Sequence, residues 1–212
     1  MTRLIFVRHG ESAANIERIF AGWTNAPLTP KGHEQAKVTA QYLQRYKIDV
    51  AYASDLHRAF DTAKHIADAQ GIGVKPEEGL REIYAGEWEN RFFDAIAEQD
   101  AERWHVWRED IGHAQPTGGE TVADLQRRIR AAVDRIRREN KGKTILIGTH
   151  ATPVRVMECV WRGLPLSEMK TIQWVPNASV TVVEYEGDTP TLVCRGYADF
   201  MGDLLTGLPR NV

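Results

Sequence analysis

The chain has 212 residues, 42% of them hydrophobic and 26% charged, which describes a globular chain of one sizeable domain rather than a disordered one. Its 27 basic and 29 acidic residues leave a formal charge of -2, so neither a nucleic-acid surface nor an anionic membrane is indicated as a partner, and basic groups that matter act locally. No run reaches transmembrane length, no signal-peptide pattern precedes the first strand, and Cys159 and Cys194 lack zinc or disulfide spacing, so a cytoplasmic location is expected.

Leu4-Ile5-Phe6-Val7 reads as a short buried strand that runs straight into Arg8, His9 and Gly10, which cannot continue a buried strand. Asn15 to Pro27 reads as a loop. Thr29-Pro30 places a capping hydroxyl before a proline at the first helical position, predicting a helix to about Tyr46. Val50 to Ala53 is a second strand, and Ser54-Asp55 signals a helix that Gly71 and Gly73 stop near Gln70. Val74 to Trp88 is extended or irregular. Phe92 to Asp110 looks helical, and its place between core elements suggests an insertion at about 89–118 that covers a site. Pro116 to Gly119 is a loop, and Glu120-Thr121 opens an amphipathic helix to about Asn140. Thr144 to Ile147 is the clearest buried strand; it ends on Gly148-Thr149-His150, and Thr152-Pro153 caps the next helix, to about Arg162. Ser179 to Glu184 and Thr191 to Arg195 form a hairpin around Gly187-Asp188 at a sheet edge, which leaves a homodimer open. The last residues, with Gly207 and Pro209, read as a surface tail.

This order predicts one α/β domain over 1–212, a three-layer, doubly wound, mostly parallel sheet with helices on both faces and a helical insertion over the site. Right-handed crossovers put the carboxyl ends of the parallel strands on one edge, where ligands bind in open α/β sheets. His9 and His150 each follow an apolar strand, and Ser54, Asp55 and Arg58 belong to the same edge. Two imidazoles and two guanidiniums in one crevice suit a phosphoryl group. Guanidinium forks match phosphate oxygens, and a neutral imidazole can attack phosphorus. Side chains supply the positive charge, so neither metal nor cofactor is expected, and a carboxylic acid must protonate the leaving alkoxide. Each of these residues also has a structural reading: a surface histidine, a salt-bridged arginine, or Asp55 as a helix cap.

Arg8-His9-Gly10-Glu11-Ser12 with Asn15 resembles the signature of the histidine phosphatase (phosphoglycerate mutase-like) superfamily. The match continues through Pro27-Leu28-Thr29, Ser54-Asp55-Leu56 with Arg58, Leu80-Arg81-Glu82 with Gly86, Trp88 and Glu89, then Pro116 to Glu120, His150 and Asn177-Ala178-Ser179. The blocks lie in family order over nearly the whole chain. The resemblance implies that His9 is the nucleophile that becomes phosphorylated, with Arg8, Arg58 and His150 completing the phosphate pocket. It implies that Glu82 is the proton donor and later the base for water. Asn15 and the backbone N–H of Ala151 would contact the phosphoryl group, Ser12 would assist, and Gly22 would lie in a loop that closes on substrate. Gly10 reads as a site of close backbone approach. Two departures stand out: Ala151-Thr152 replaces the usual glycines after the second histidine, and Asn90 replaces a glycine after the acidic block.

The resemblance supports two reactions. The stretch Phe20 to Asn25 looks mutase-like. Cofactor-dependent mutases, however, carry a longer basic insertion after the catalytic acid, whereas here Arg91, Arg103 and Arg108 are surrounded by Glu98, Asp100, Glu102, Glu109 and Asp110. The expected activity is therefore hydrolysis of a small phosphomonoester by a metal-independent, histidine acid-type phosphatase. A mutase and an inactive phosphate-binding protein are the alternatives. Trp104, Trp107 and Trp161 read as packing residues, while Trp23 and Trp88 flank the site loops.

Overall fold

The computed structural model describes residues 1–207; residues 208–212, which include the Pro209 assigned to a tail, lie outside the described residues. In chain order the elements are β1 (Thr2–Arg8), α1 (Ala13–Glu17), β2 (Ile19–Phe20), α2 (Pro30–Leu43), β3 (Val50–Ala53), α3 (His57–Ala69), β4 (Val74–Pro76), β5 (Arg91–Phe92), α4 (Phe93–Gln99), α5 (Ala101–Glu109), α6 (Val122–Glu139), β6 (Thr144–Thr149), α7 (Ala151–Arg162), β7 (Val180–Glu186) and β8 (Thr189–Tyr197). Six strands form one sheet in the order β4-β3-β6-β1-β7-β8, and β2 pairs with β5 in a separate ribbon. β4, β3, β6 and β1 run parallel, and the β7–β8 hairpin adds antiparallel at one edge. This is the mostly parallel α/β sheet that the sequence order predicts.

β1 lies between β6 and β7, which explains why four consecutive apolar residues suit it. Leu4 and Phe6 enter the core shared with α6 and α7, while Ile5 and Val7 enter the core shared with α2 and α3. All four are fully buried, each stabilising the fold by about 1.5–3 kcal/mol. Phe6 meets Trp161 edge to face, with ring centres 4.9 Å apart. Trp161 and Trp104 are thus packing residues, as expected.

Thr29 Oγ1 accepts a hydrogen bond from Gly32 N at 3.0 Å, so the predicted cap of α2 is present. Thr121 and Asp124 form a capping box at α6. Elsewhere the helix starts differ from expectation. Ser54-Asp55 does not cap α3, whose first residue is His57; Asp55 instead forms a two-pronged pair with Arg81. His150, not Thr152, occupies the cap position of α7. The stretch expected as loop from Asn15 to Pro27 holds the end of the short α1 and all of β2, and the single helix expected over 92–110 breaks at Asp100 into α4 and α5. Gly207, assigned to that tail, is exposed and lines the cleft. Asp199–Leu204 forms a 3-10 turn with Met201 buried, and Leu205 to Gly207 reach the cleft beside β1.

Candidate active site

Strand register brings the charged residues to one edge. His9 N donates to Thr149 O at 2.9 Å and Ser54 N to Gly148 O at 2.9 Å, so the ends of β1, β6 and β3 are tied directly together. Gly10 passes so close to Gly32 that a Cβ would sit 2.5 Å from the Gly32 carbonyl oxygen, which accounts for the glycine. The close neighbour is helix α2.

His9 is 5% exposed, and its Nδ1 lies 2.7 Å from the Gly10 carbonyl oxygen. A carbonyl only accepts, so Nδ1 carries the proton and Nε2 keeps its lone pair. Burial, then the Arg58 and Arg8 guanidiniums, hold the imidazole pKa well below its ordinary value; the Gly10 hydrogen bond opposes them. The ring is therefore neutral at pH 7.

Both arginines are committed at their tips. Arg8 Nη1 donates to Val175 O at 2.5 Å. Arg58 donates from Nη1 to Thr24 O at 2.8 Å and from Nη2 to Gly22 O at 2.7 Å. Burial lowers each pKa to about 10, with Glu82 pulling both back up, so both remain charged near neutrality. Gly22 has φ +45°, and a Cβ there would collide with the Glu89 carboxylate. That carboxylate fixes the loop. Oε1 accepts from Trp23 N (2.8 Å) and Ala85 N (2.9 Å), and Oε2 from Thr24 N (2.8 Å) and Thr24 Oγ1 (2.9 Å). Glu89 thus shapes the loop that shapes Arg58.

Glu82 is half-buried on the cleft wall. Its Oε1 accepts from Ile83 N at 2.8 Å, and Oε2 is 3.4 Å from Thr152 N. Burial raises its pKa against the opposing pull of the Ile83 N–H, Arg58 and Thr152, which favours a carboxyl that still holds its proton. Its backbone is held as well: Glu82 O accepts from Trp23 Nε1 at 2.7 Å and Arg128 Nη2 at 3.0 Å. Arg128, on α6, also donates to the carbonyls of Gly79 (3.2 Å) and Arg81 (3.1 Å).

His150 is fully buried behind His9, with ring centres 5.3 Å apart. Its Nε2 is 2.9 Å from Ser54 Oγ, and its Nδ1 has no partner among the described residues. Burial, Arg58 and His9, in that order, lead the causes that keep it neutral. Arg8 Nε and Arg58 Nε are likewise buried without partners. The two guanidinium N–H donors each cost about 1–3 kcal/mol unless an acceptor satisfies them, and His150 Nδ1 joins them as a donor in the tautomer whose Nε2 accepts from Ser54 Oγ. Ala151 lines the cleft at the first position of α7, where the N–H groups of a helix start are free for an anion.

The cleft has a volume of about 530 Å³. Ser12, Asn15 and Gly22 line it together with Arg8, His9, Arg58 and Glu82. Asn15 Oδ1 accepts from Ser12 N and Oγ (3.1 Å each) and from Asn177 Nδ2 (3.2 Å), which leaves the Asn15 NH2 for a ligand. Asn177 Nδ2 also donates to His9 O at 3.1 Å, and its Oδ1 accepts from Thr206 Oγ1 at 3.0 Å. Gln35 makes a parallel clasp: Oε1 accepts from Glu11 N at 2.8 Å while Nε2 donates to Leu204 O at 2.8 Å. Two amide side chains therefore tie residues 204–206 to the Arg8–Ser12 loop. Trp107, expected only to pack, belongs to the core and also lines the cleft, with Phe93. Asn90, one of the two departures noted from the sequence, adopts φ +58°, a left-handed conformation that asparagine tolerates better than most residues.

A neutral imidazole with a free Nε2, two buried guanidiniums and a carboxyl whose pKa burial raises, at the carboxyl edge of a parallel sheet, make a site for transferring an anionic group such as phosphoryl. Residues 4–197 match the histidine phosphatase superfamily (branch 1), and the chain belongs to that family. It is 32% identical over 186 residues to phosphoserine phosphatase 1 of Hydrogenobacter thermophilus, covering 88% of each chain. It is 31% identical over 207 residues to a probable phosphoglycerate mutase, GpmB, of Yersinia enterocolitica, covering 96% of this chain and 94% of that one. Among solved structures, Bacillus stearothermophilus YhfR superposes with a TM-score of 0.91 at 30% identity, covering 95% of this chain and all of that one.

Proposed function

We propose that this chain is a metal-independent phosphatase that hydrolyses a small phosphorylated metabolite through a phosphohistidine at His9. The observation that carries the reading is the His9 Nδ1 to Gly10 O contact of 2.7 Å, which aims the protonation state and leaves Nε2 free. Nε2 attacks phosphorus and forms an N–P bond as the bond to the ester oxygen breaks. Glu82 gives its proton to that oxygen, so a neutral alcohol leaves. The Glu82 carboxylate then takes a proton from water, the hydroxide attacks phosphorus, the N–P bond breaks, and inorganic phosphate is released with Glu82 protonated again. Arg8, Arg58, His150 Nδ1, Asn15 and the Ala151 N–H are the donors assigned to the phosphoryl oxygens. Ser12 acts through Asn15. One domain spans the chain, and residues 89–118 are its lid, because Phe93 and Trp107 wall the cleft.

Hydrolysis is favoured over mutase chemistry because a second acidic group would find few cations. Apart from Arg8 and Arg58, Lys31 is the one Lys or Arg lining the cleft among the described residues. The likeness to a probable phosphoglycerate mutase keeps the other reading under test. The deciding experiment is phosphate release over a panel of phosphomonoesters, beside a mutase assay with phosphoglycerate and bisphosphoglycerate, each with and without chelator. Phosphate release unaffected by chelator is expected. Mutase turnover alone, or loss of activity with chelator, overturns the proposal.

A further inference from the structure

The cleft divides by chemistry. Its charged side chains are Arg8, Arg58, Glu82, Glu11 and Lys31, and Glu11 is already engaged, its Oε1 accepting from Thr29 Oγ1 at 2.9 Å. Much of the remaining wall is apolar and comes from separate elements: Ile19 and Phe20 of β2, Phe93 and Trp107 of the 89–118 insertion, Trp174, and Leu205. Phe20 meets Trp107 edge to face at 5.0 Å and Phe93 at 6.1 Å, so this side is one packed aromatic cluster.

Trp174 is held differently. The Arg155 guanidinium lies 4.1 Å from the centre of its ring, and Arg155 is 4% exposed. Burial lowers the Arg155 pKa to about 10, which leaves it charged. The same guanidinium donates from Nη2 to Met169 O at 2.9 Å. The carbonyls on either side of Trp174 are also taken by arginines: Arg195 donates to Gln173 O, and Arg8 Nη1 donates to Val175 O at 2.5 Å. Three guanidiniums thus fix one half-buried indole at the cleft wall, and one of them is the buried Arg8, a phosphate donor in the proposed chemistry. A cation placed over an indole favours a rigid ring position, and a rigid, half-exposed indole is a stacking surface. A phosphorylated amino or hydroxy acid would instead bring a carboxylate into a cleft where, among the described residues, Lys31 is the one cation outside the phosphate end, and where desolvation against the apolar wall is costly.

We infer that the alcohol portion of the substrate is an apolar, ring-bearing group that stacks on Trp174 and packs against Phe93 and Trp107, with Arg155 as the positioning residue for that stack. The inference rests on the phosphatase reading and narrows its substrate class. It makes Trp174 a specificity residue, acting on the ester's leaving side while the Arg8 and His9 end handles phosphorus.

The test uses the full chain and three alkyl phosphates of similar leaving-group reactivity: 2-(1-naphthyl)ethyl phosphate, ethyl phosphate and O-phosphoserine. The naphthylethyl ester is expected to exceed the other two in kcat/KM by about tenfold or more, equivalent to about 1.4 kcal/mol. Trp174→Ala should remove most of that ratio, chiefly through KM. Arg155→Met should reduce the same ratio, and Arg155→Lys should restore part of it, a pattern that general loss of fold would not give. The wild-type comparison needs no variant, so it stands even if a substitution prevents folding. Preference for O-phosphoserine, with that preference lost in Lys31→Ala, overturns the inference while leaving the phosphatase reading intact. An equal kcat/KM for all three esters overturns it too. Failure to hydrolyse any of the three while other phosphomonoesters release phosphate overturns the inference alone; no release from any phosphomonoester refutes the phosphatase reading itself.

Discussion

Glu89→Gln perturbs the site without touching any group assigned to phosphate. The Glu89 carboxylate accepts four hydrogen bonds, three from backbone N–H groups and one from the Thr24 hydroxyl, at 2.8–2.9 Å. A glutamine keeps the shape but places an NH2 against N–H donors on one side. If Nε2 faces Trp23 and Ala85, two backbone donors lose their acceptor; if it faces Thr24, one backbone donor does. Each charge-assisted bond contributes about 1.5–3 kcal/mol, and part is recovered by water, so a net loss of about 2 kcal/mol is expected. For a chain of this length that corresponds to a fall in Tm of about 4–8 °C. The larger consequence is for catalysis. Thr24 O and Gly22 O are the acceptors that aim Arg58, and a displacement near 1 Å costs on the order of 100-fold when geometry is critical. The assay is thermal unfolding beside kcat/KM for an alkyl phosphate, with expected losses of about 10- to 100-fold. A Tm within about 1 °C of wild type, together with unchanged kcat/KM, would refute the chain of support from Glu89 through the loop to Arg58.

Other substitutions probe the remaining supports. Glu82→Gln should cost about 100-fold or more on alkyl esters and much less on aryl esters with good leaving groups, because only the former need the proton; equal losses remove Glu82 from that role. For the same reason, the alkyl-ester rate of the wild type should fall as pH rises through the elevated Glu82 pKa, while aryl esters show little of that limb. Stability carries a matching sign. A carboxyl whose folded pKa is raised loses stability as pH climbs from its unfolded value of 4.5 to its folded value, so Glu82→Gln should raise Tm above that window and leave it unchanged below pH 4.5. Thermal scans across pH check this, and a Tm gain that persists at low pH would contradict it. Ser54→Ala deprives His150 Nε2 of its 2.9 Å partner and should cost about 1–3 kcal/mol of stability as well as activity; wild-type behaviour in both assays would show that the contact does not orient the ring. Gly32→Ala drives a Cβ into the Glu11 carbonyl oxygen, and about 1–3 kcal/mol of destabilisation should appear in denaturant titration; a neutral substitution would show that α2 can shift away.

Much of this arrangement is legible in the sequence, and particular residues show why. The apolar strand Leu4 to Val7 and its counterpart Thr144 to Ile147 are recognisable because both are buried on two faces, so His9 and His150 stand out at their ends. The carboxyl-edge argument then brings Ser54 and Arg58 to the same place. The supports are harder to read. Glu89 stands in the family-like block but without a role, and Arg128 looks like an ordinary surface charge; only the three-dimensional loop shows that one holds Gly22 to Thr24 and the other holds the Glu82 backbone. Gln35 and Asn177 join segments about 170 residues apart, a pairing no local pattern encodes. Asp55 carries a strong helix-start signal, yet tertiary pairing with Arg81 outweighs it. Residues 199–204 carry no helical periodicity to announce them, although Met201 packs into a small core with Ala178 and Ala198.

The most direct measurement is to trap the phosphoenzyme. Rapid quench of the chain with a labelled phosphomonoester should leave an acid-labile, alkali-stable phosphate on the peptide containing His9. His9→Ala should carry no label and show no turnover. Label that still attaches to the His9→Ala protein, or label that is stable to acid, would contradict a phosphohistidine at this position.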